Sequence, residues 1–400
     1  MSDLPNSASG TPGGIAEQYR KKLSARGTML ESANEGTDAL PDSDVQDRSQ
    51  AARENLYRVI KEYLGDKKEL YELAERATKK GSDALRAVAN NDDLYLINNP
   101  QSMVFLEVIV RTDGSRPSFM VRNGKVDKAT SPVGDWSDIL DASEQTINEA
   151  IACVGRIDYK KGHVGTGFLI HENLVVTNRH VLQAVANKEN DGTWRMKPQS
   201  TIDFGYEFRA RTSVNPRELE SVVFSGNKYV DMYKIDHDKL DMAIIRLKPV
   251  SNDQVPRKLL SLNIAPDWAT EDKITFTIGY PGDPGVPGLK TYGSLLEQLF
   301  KSTFGCKRLA PGQVTPPVNT LSDWGLAHDT TTLGGNSGSV ILAQGKEHAA
   351  AGLHYGGQVQ APRENWGHII GKTLNAPDSV SGKSLKQVLD EFGVDLVDTI

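Results

Sequence analysis

Cysteine is scarce in this chain. Cys153 and Cys306 are the only two among 400 residues. Two thiols cannot form a disulfide framework, and such sparing use fits a reducing compartment. Basic charge is not in excess either: 46 Lys and Arg face 52 Asp and Glu, a formal net charge of −6. A nucleic-acid surface normally carries a basic patch or stripe, so a nucleic-acid partner is not expected. No apolar run reaches the ~18 residues of a membrane span. The opening MSDLPNSASGTPGG has neither the basic start nor the apolar stretch of a secretory leader. Together these absences predict a cytoplasmic protein that does not enter a membrane. There is no P-loop and no dinucleotide fingerprint. His171, in HEN, lacks the second histidine of a zinc-protease helix. Neither a cofactor nor a metal is expected.

What is present divides the chain unevenly. At ~150 residues per domain the length allows two or three domains. Residues 1–50 are rich in Ser, Gly, Asp and Asn, with Tyr19 as their one aromatic. They read as disordered, apart from a short helix over residues 15–23. Residues 51–98 read as a helical accessory module. Leu56, Val59, Ile60, Tyr63 and Leu64 recur at helical spacing, then Leu70, Leu73, Ala74 and Ala77 form a second stripe. That stripe ends at Lys79, Lys80 and Gly81, and a third short helix follows over residues 83–90. Residues 99–150 read as a small α+β linker: a β-rich run MVFLEVIVR, a turn at Asn123-Gly124 and a helix over residues 143–152. From residue 151 to 372 the rhythm changes to short strands such as GTGFLI, NLVVTN and KITFTIGY with Gly, Pro and Asn between them. That pattern predicts a mainly β barrel or sandwich. Residues 295–304 interrupt it as a helical insertion, and GYPGDPGVPG reads as a surface loop. Residues 373–400 form a tail with a short amphipathic helix, SLKQVLDEF.

Three segments carry chemistry. TNRHV places His180 after an apolar strand, DMAII places Asp241 before one, and GGNSGS places Ser337 in a glycine-rich loop. A serine hydroxyl is a weak nucleophile at neutral pH. An imidazole can take its proton, and a carboxylate can fix the imidazole's tautomer and stabilise its cation. Small residues beside the serine let backbone N–H groups converge on a developing oxyanion. Gly335 and Ser337 are the candidates for that hole. Asp231, Asp236 and Asp238 compete with Asp241 as turn residues, but only Asp241 directly precedes the apolar run. Ser339 neighbours Ser337, but only Ser337 lies in G-x-S-G. The cysteines lie in no nucleophile motif and read as structural.

The order His180, Asp241, Ser337 is that of the chymotrypsin-like group. With all three motifs in that order, residues 154–372 resemble the bacterial trypsin-like serine peptidases, including glutamyl endopeptidases and Deg/HtrA-like enzymes. The resemblance implies two six-stranded β-barrels with the site between them, His180 and Asp241 on the first and Ser337 on the second. The helical region and short β unit would precede this double barrel. It implies a serine endopeptidase acting on protein or peptide substrates through an acyl-enzyme. It also implies a pocket lined by Thr331, Thr332, His354 and Gly356. His354 and Thr332 match positions that face an acidic side chain in glutamyl endopeptidases. Thr331 stands where a pocket for Lys or Arg would carry an acid, and Asp329 is two residues away from it.

Asn336 is uncharged where trypsin-like zymogens carry the Asp of their ion-pair switch, so that switch is not expected. Residues 51–150 are the expected place of control, by docking or by a regulatory protein partner. By analogy with family members fused to accessory modules, a bacterial stress or defence pathway is one setting. Two other readings stand beside this one: an idle barrel kept as a protein-interaction scaffold, and an esterase acting on small substrates.

Overall fold

The structure is a computed structural model and describes residues 14–24, 42–63, 66–131, 133–231, 234–282, 304–332, 336–358 and 364–399. It begins with helices. In α1 (Ile15–Ser24), Ala16, Tyr19 and Leu23 are buried along one face, and the Tyr19 hydroxyl donates to Glu107 Oε1 at 2.6 Å. The second helix, α2 (Asp42–Tyr63), already starts inside the stretch expected to be disordered. That expectation is corrected for residues 42–50, whereas α1 coincides with the short helix expected over residues 15–23. A polar composition hid a few apolar residues at helical spacing, and burying these against other helices is sufficient.

Next comes α3 (Lys68–Ala89), one continuous helix rather than two. Gly81 does not end it. A Cβ there would lie 2.6 Å from Ile109 Cδ1 and 2.8 Å from the Phe105 carbonyl, so the glycine permits close helix packing. After α4 (Asp93–Asn98), capped by the Asp92 side chain, comes α5 (Pro100–Thr112) with proline in its first turn. The run MVFLEVIVR is therefore helix, not strand. Leu106, Ile109 and Val110 pack into one apolar cluster and Val108 and Phe105 into another, so α5 is buried on two sides. A short buried apolar run has no polar face from which to read its period, and β-branched content misled the sequence reading.

A hairpin of β1 (Phe119–Arg122) and β2 (Lys125–Asp127) turns at Asn123-Gly124, where both residues have positive φ. That is the geometry of a type I′ turn. Two short helices, α6 (Ser137–Ala142) and α7 (Glu144–Cys153), lead into the β region.

The first barrel is closed by β3 (Val154–Tyr159), β4 (Gly162–His171), β5 (Leu174–Thr177), β8 (Ser200–Asp203), β9 (Arg217–Ser225) and β10 (Ala243–Leu247), in the order β10-β5-β4-β3-β8-β9. A small sheet of β6 (Ala186–Lys188) and β7 (Trp194–Met196) and the helix α8 (Arg179–Val185) attach to it. The second barrel uses β12 (Ile274–Gly279), β13 (Arg308–Thr315), β14 (Gly325–His328), β15 (Val340–Ala343), β16 (Ala349–Gly357) and β17 (Asn365–Ile369). Its order is β12-β15-β16-β17-β14-β13, and β13 pairs back with β12. All pairings around both rings are antiparallel.

The expected mainly β, double six-stranded barrel with N-terminal helices is thus the fold observed. One apolar core runs through both barrels, from Phe168 and Phe224 to Phe276 and Leu353, all wholly buried. Each such side chain contributes roughly 1.5–3 kcal/mol by leaving water.

Two additions tie other parts to the second barrel. β1 pairs with the start of β13, Phe119 opposite Leu309 and Met120 opposite Arg308. β11 (Ser261–Asn263) joins β16, and β18 (Leu396–Val397) joins β11, both in parallel. Between them lie α9 (Ile370–Thr373) and α10 (Leu385–Glu391), the latter with a capping box from Ser384 and Gln387. The tail is therefore packed structure. Residues 295–303 of the expected helical insertion and 283–288 of the Gly/Pro-rich loop lie outside the described residues. Among the described residues no helix is long and apolar enough to cross a membrane.

Candidate active site

His180 sits one residue into α8, immediately after the fully buried strand β5. Asn178, between them, is extended at φ −79° and ψ 153°, which turns the chain from strand into helix. Its side-chain Nδ2 donates to the Asp241 carbonyl at 2.8 Å. Asp241 reaches back from the residues just before β10. Its Oδ1 accepts from the His180 backbone N–H at 2.9 Å, and its Oδ2 lies 2.5 Å from His180 Nδ1. One carboxylate thus holds both the backbone and the ring of the same histidine. Burial alone would favour a neutral Asp241. The facing His180 and its two hydrogen bonds outweigh that and hold the carboxyl below its ordinary value.

A further residue supports this pair. The Asp241 backbone N–H donates to His368 Nε2 at 3.0 Å, from β17 of the other barrel. That bond needs a lone pair on Nε2. Burial pushes His368 down to about 4, which keeps the ring neutral at pH 7. Its ring stacks on Tyr355 at 4.4 Å between centroids.

Ser337 lies in the turn between Asn336 and Ser339. Its carbonyl accepts from the Thr166 N–H of β4 at 2.8 Å, and Gly338 N–H donates to the His354 carbonyl of β16 at 3.0 Å. The Ser337 turn is therefore clamped between the two barrels. Gly338 has φ +89°, and a Cβ there would lie 1.9 Å from the Thr166 carbonyl, so no other residue fits. Gly165 stands between Val181, next to His180, and the Ser337 carbonyl; a Cβ on it would meet them at 2.6 and 3.2 Å. Val181 and Ser337 thus flank one glycine of β4. Among the described residues the Ser337 hydroxyl forms no hydrogen bond. Gly335, the other expected oxyanion donor, lies outside the described residues.

The expected pocket residues lie near this turn but not as free side chains. Thr331 Oγ1 donates to the Arg116 carbonyl at 2.7 Å. Thr332 Oγ1 donates to Asn365 Oδ1 at 2.5 Å, and Asn365 Nδ2 donates to the Thr330 carbonyl at 2.7 Å. Asp329 is engaged: its Oδ2 is 2.7 Å from Arg116 Nη2, with both side chains buried. Gly356 lies in β16 against Trp366 and Ile235. His354 is buried, and its backbone N–H donates to the Ser339 carbonyl at 2.9 Å. Its Nδ1 lies 3.2 Å from His328 Nε2, and His328 Nδ1 lies 2.7 Å from Thr330 Oγ1. Burial pushes His328 down to about 3. It also lowers His354 well below the ordinary value, helped by the charges of His328 and His180.

His328, His368, Asn365 and Arg116 were not singled out from the sequence. GLAHD and NWGHII show a histidine at or near a strand end, but nothing in either says which partner it meets.

Residues 165–349 match the family described as the trypsin-like peptidase domain. A protein of Lysobacter enzymogenes named "probable serine protease" is 31% identical over 275 residues, covering 63% of this chain and 69% of that protein. A glutamyl endopeptidase of Staphylococcus epidermidis is 27% identical over 200 residues, 48% of this chain and 54% of that enzyme, so the chain spans about half of its length. Among solved structures, neuropsin, a serine protease expressed in the limbic system of mouse brain, aligns over 56% of this chain and 92% of its own, at 13% identity and a TM-score of 0.39.

Proposed function

The chain belongs to the trypsin-like serine peptidases, and from that premise we propose that it is an endopeptidase whose catalytic triad is His180, Asp241 and Ser337. His180 takes the Ser337 proton as the hydroxyl attacks the scissile carbonyl, then returns a proton to the leaving amine. Asp241 keeps the ring proton on Nδ1, leaving Nε2 free to act as base. The acyl-enzyme on Ser337 is hydrolysed by water. The observation that carries this reading is the doubly bonded carboxylate at His180, which has little structural purpose unless the ring must hold one orientation and one tautomer.

The pocket reading is that cleavage follows Glu or Asp. The reading takes Thr330 Oγ1 as the donor to His328 Nδ1 at 2.7 Å and His328 Nε2 as the donor to His354 Nδ1 at 3.2 Å. His354 then carries its proton on Nε2, a donor suited to a substrate carboxylate. The likeness to a glutamyl endopeptidase points the same way. Thr332 does not share this role, because its hydroxyl hydrogen is committed to Asn365. The preference therefore falls on His354.

The reading also includes restraint. A protease with few protein targets, held in a reducing compartment and serving a stress or defence pathway, needs control, and the N-terminal region is its proposed source. Cys153 and Cys306 are both unpaired, which fits such a compartment.

The test is a cleavage profile of the full-length protein on a proteome-derived peptide library. Glu or Asp before the cut bond is the expected result. A preference for Arg or Lys would contradict the role given to His354, and no cleavage of any peptide would contradict the endopeptidase.

A further inference from the structure

The N-terminal region does not touch the peptidase domain only through an added strand. Arg116, between α5 and β1, is almost wholly buried against it. Its Nη2 contacts Asp329 Oδ2 at 2.7 Å and Gln313 Oε1 at 3.1 Å, and its carbonyl receives the Thr331 hydroxyl at 2.7 Å. Asp329 spends its other oxygen on the Gln313 backbone N–H at 2.8 Å. Two residues on, Ser118 lines a small cavity together with Arg308, Thr331, Thr332 and Asn336, directly behind the nucleophile turn.

The other end of this contact reaches the helices. Arg48 of α2 donates to Asp113 Oδ2 at 3.1 Å and to Ser115 Oγ at 2.7 Å. The Ser115 carbonyl in turn accepts from Arg116 Nη1 at 2.8 Å and from Trp136 Nε1 at 3.2 Å. A continuous set of hydrogen bonds therefore runs from α2 to the residues before Ser337. Among the described residues, the side chains of Asp329 and Thr331 have no other hydrogen-bond anchor inside the barrels than β13, while Thr330 and Thr332 are tied to His328 and Asn365.

We infer that Arg116 is a positioning residue for the substrate pocket: the helical region holds residues 329–332 in their working arrangement through Arg116. This rests on the peptidase reading and names the contact by which the N-terminal region would exert control. A planar guanidinium bridging a carboxylate, an amide and a carbonyl fixes direction as well as distance, which an ammonium cannot do. Removing it leaves the triad barrel intact but frees the pocket wall. Substrate binding is then weakened more than the reactivity of Ser337.

The experiment compares the full-length wild type with Arg116→Met and with Arg116→Met/Asp329→Asn, which leaves no unpaired buried charge and so separates positioning from loss of fold. Peptide kinetics, fluorophosphonate labelling and amide exchange over residues 326–332 are measured on each. In both variants kcat/KM is expected to fall by about tenfold or more, chiefly through KM, with labelling within about threefold of wild type. Exchange over 326–332 is expected to rise by about tenfold, with β3 to β5 unchanged. Wild-type KM and wild-type exchange in the double variant would overturn the inference. So would loss of labelling in step with peptide cleavage. Should the wild type itself not react with the probe, the peptidase reading fails, and exchange alone decides the latch: faster exchange supports it and unchanged exchange overturns it.

Discussion

At His180 the structure spends one carboxylate on two bonds, at 2.9 Å to the backbone N–H and 2.5 Å to the ring. The ring bond requires a pure acceptor. Asp241→Asn offers an amide that can turn its N–H₂ toward the ring, which moves the ring proton to Nε2 and removes the base. The expected result is a kcat lower by about a thousandfold to ten-thousandfold, with KM within about threefold, in steady-state peptide kinetics. A loss below about tenfold would contradict the role of Asp241. His180, Asp241 and Ser337 stand out in the sequence because each lies in a short motif whose neighbours constrain it. His368 was not legible. It meets Asp241 across 127 residues and two barrels, and no local pattern encodes a contact of that kind. The same holds for Arg116 and Asp329, 213 residues apart. Thr332 shows the opposite limit: the sequence marks its position, but its hydroxyl is spent on Asn365.

Among elements, the strands of the first barrel and β12, β15 and β16 of the second are legible because alternation and glycine-bounded runs report a half-buried sheet directly, whereas β13, β14 and β17 are not. The Asn123-Gly124 turn was legible for the same reason, since its positive φ values demand those residue types. Failures cluster in the helical region. α5 is apolar around much of its circumference because α2 and α3 cover it on two sides, so its period of 3.6 is masked. Gly81 has the sequence context of a helix end, although tertiary packing against Ile109 explains it. The first turns of α2 are concealed by polar neighbours, whereas α1 shows in the sequence as a short helix. Each error comes from reading a propensity where a packed neighbour decides.

At the scale of the whole molecule, buried histidines couple stability to pH. Burial holds His328 at about 3 and His368 at about 4, whereas an unfolded histidine titrates near 6.5. The folded values are the lower ones, so as pH falls the unfolded chain binds protons first. This contribution is complete above about pH 6.5 and is lost as pH falls toward 4 for His368 and 3 for His328. Asp241, held low, adds its own loss only below the ordinary carboxylate range. The denaturant midpoint is expected to fall steadily from pH 7 to 5, and a flat midpoint over that interval would count against neutral burial of these rings.

The same molecule places His180 and its carboxylate partner on one barrel and Ser337 on a turn clamped between two. The most direct measurement of whether that arrangement is a working peptidase is fluorophosphonate labelling of the full-length protein, with the modified residue located by mass spectrometry. The account predicts a single label on Ser337 that disappears in Ser337→Ala. An unlabelled wild type, or a label that persists in Ser337→Ala, would contradict it.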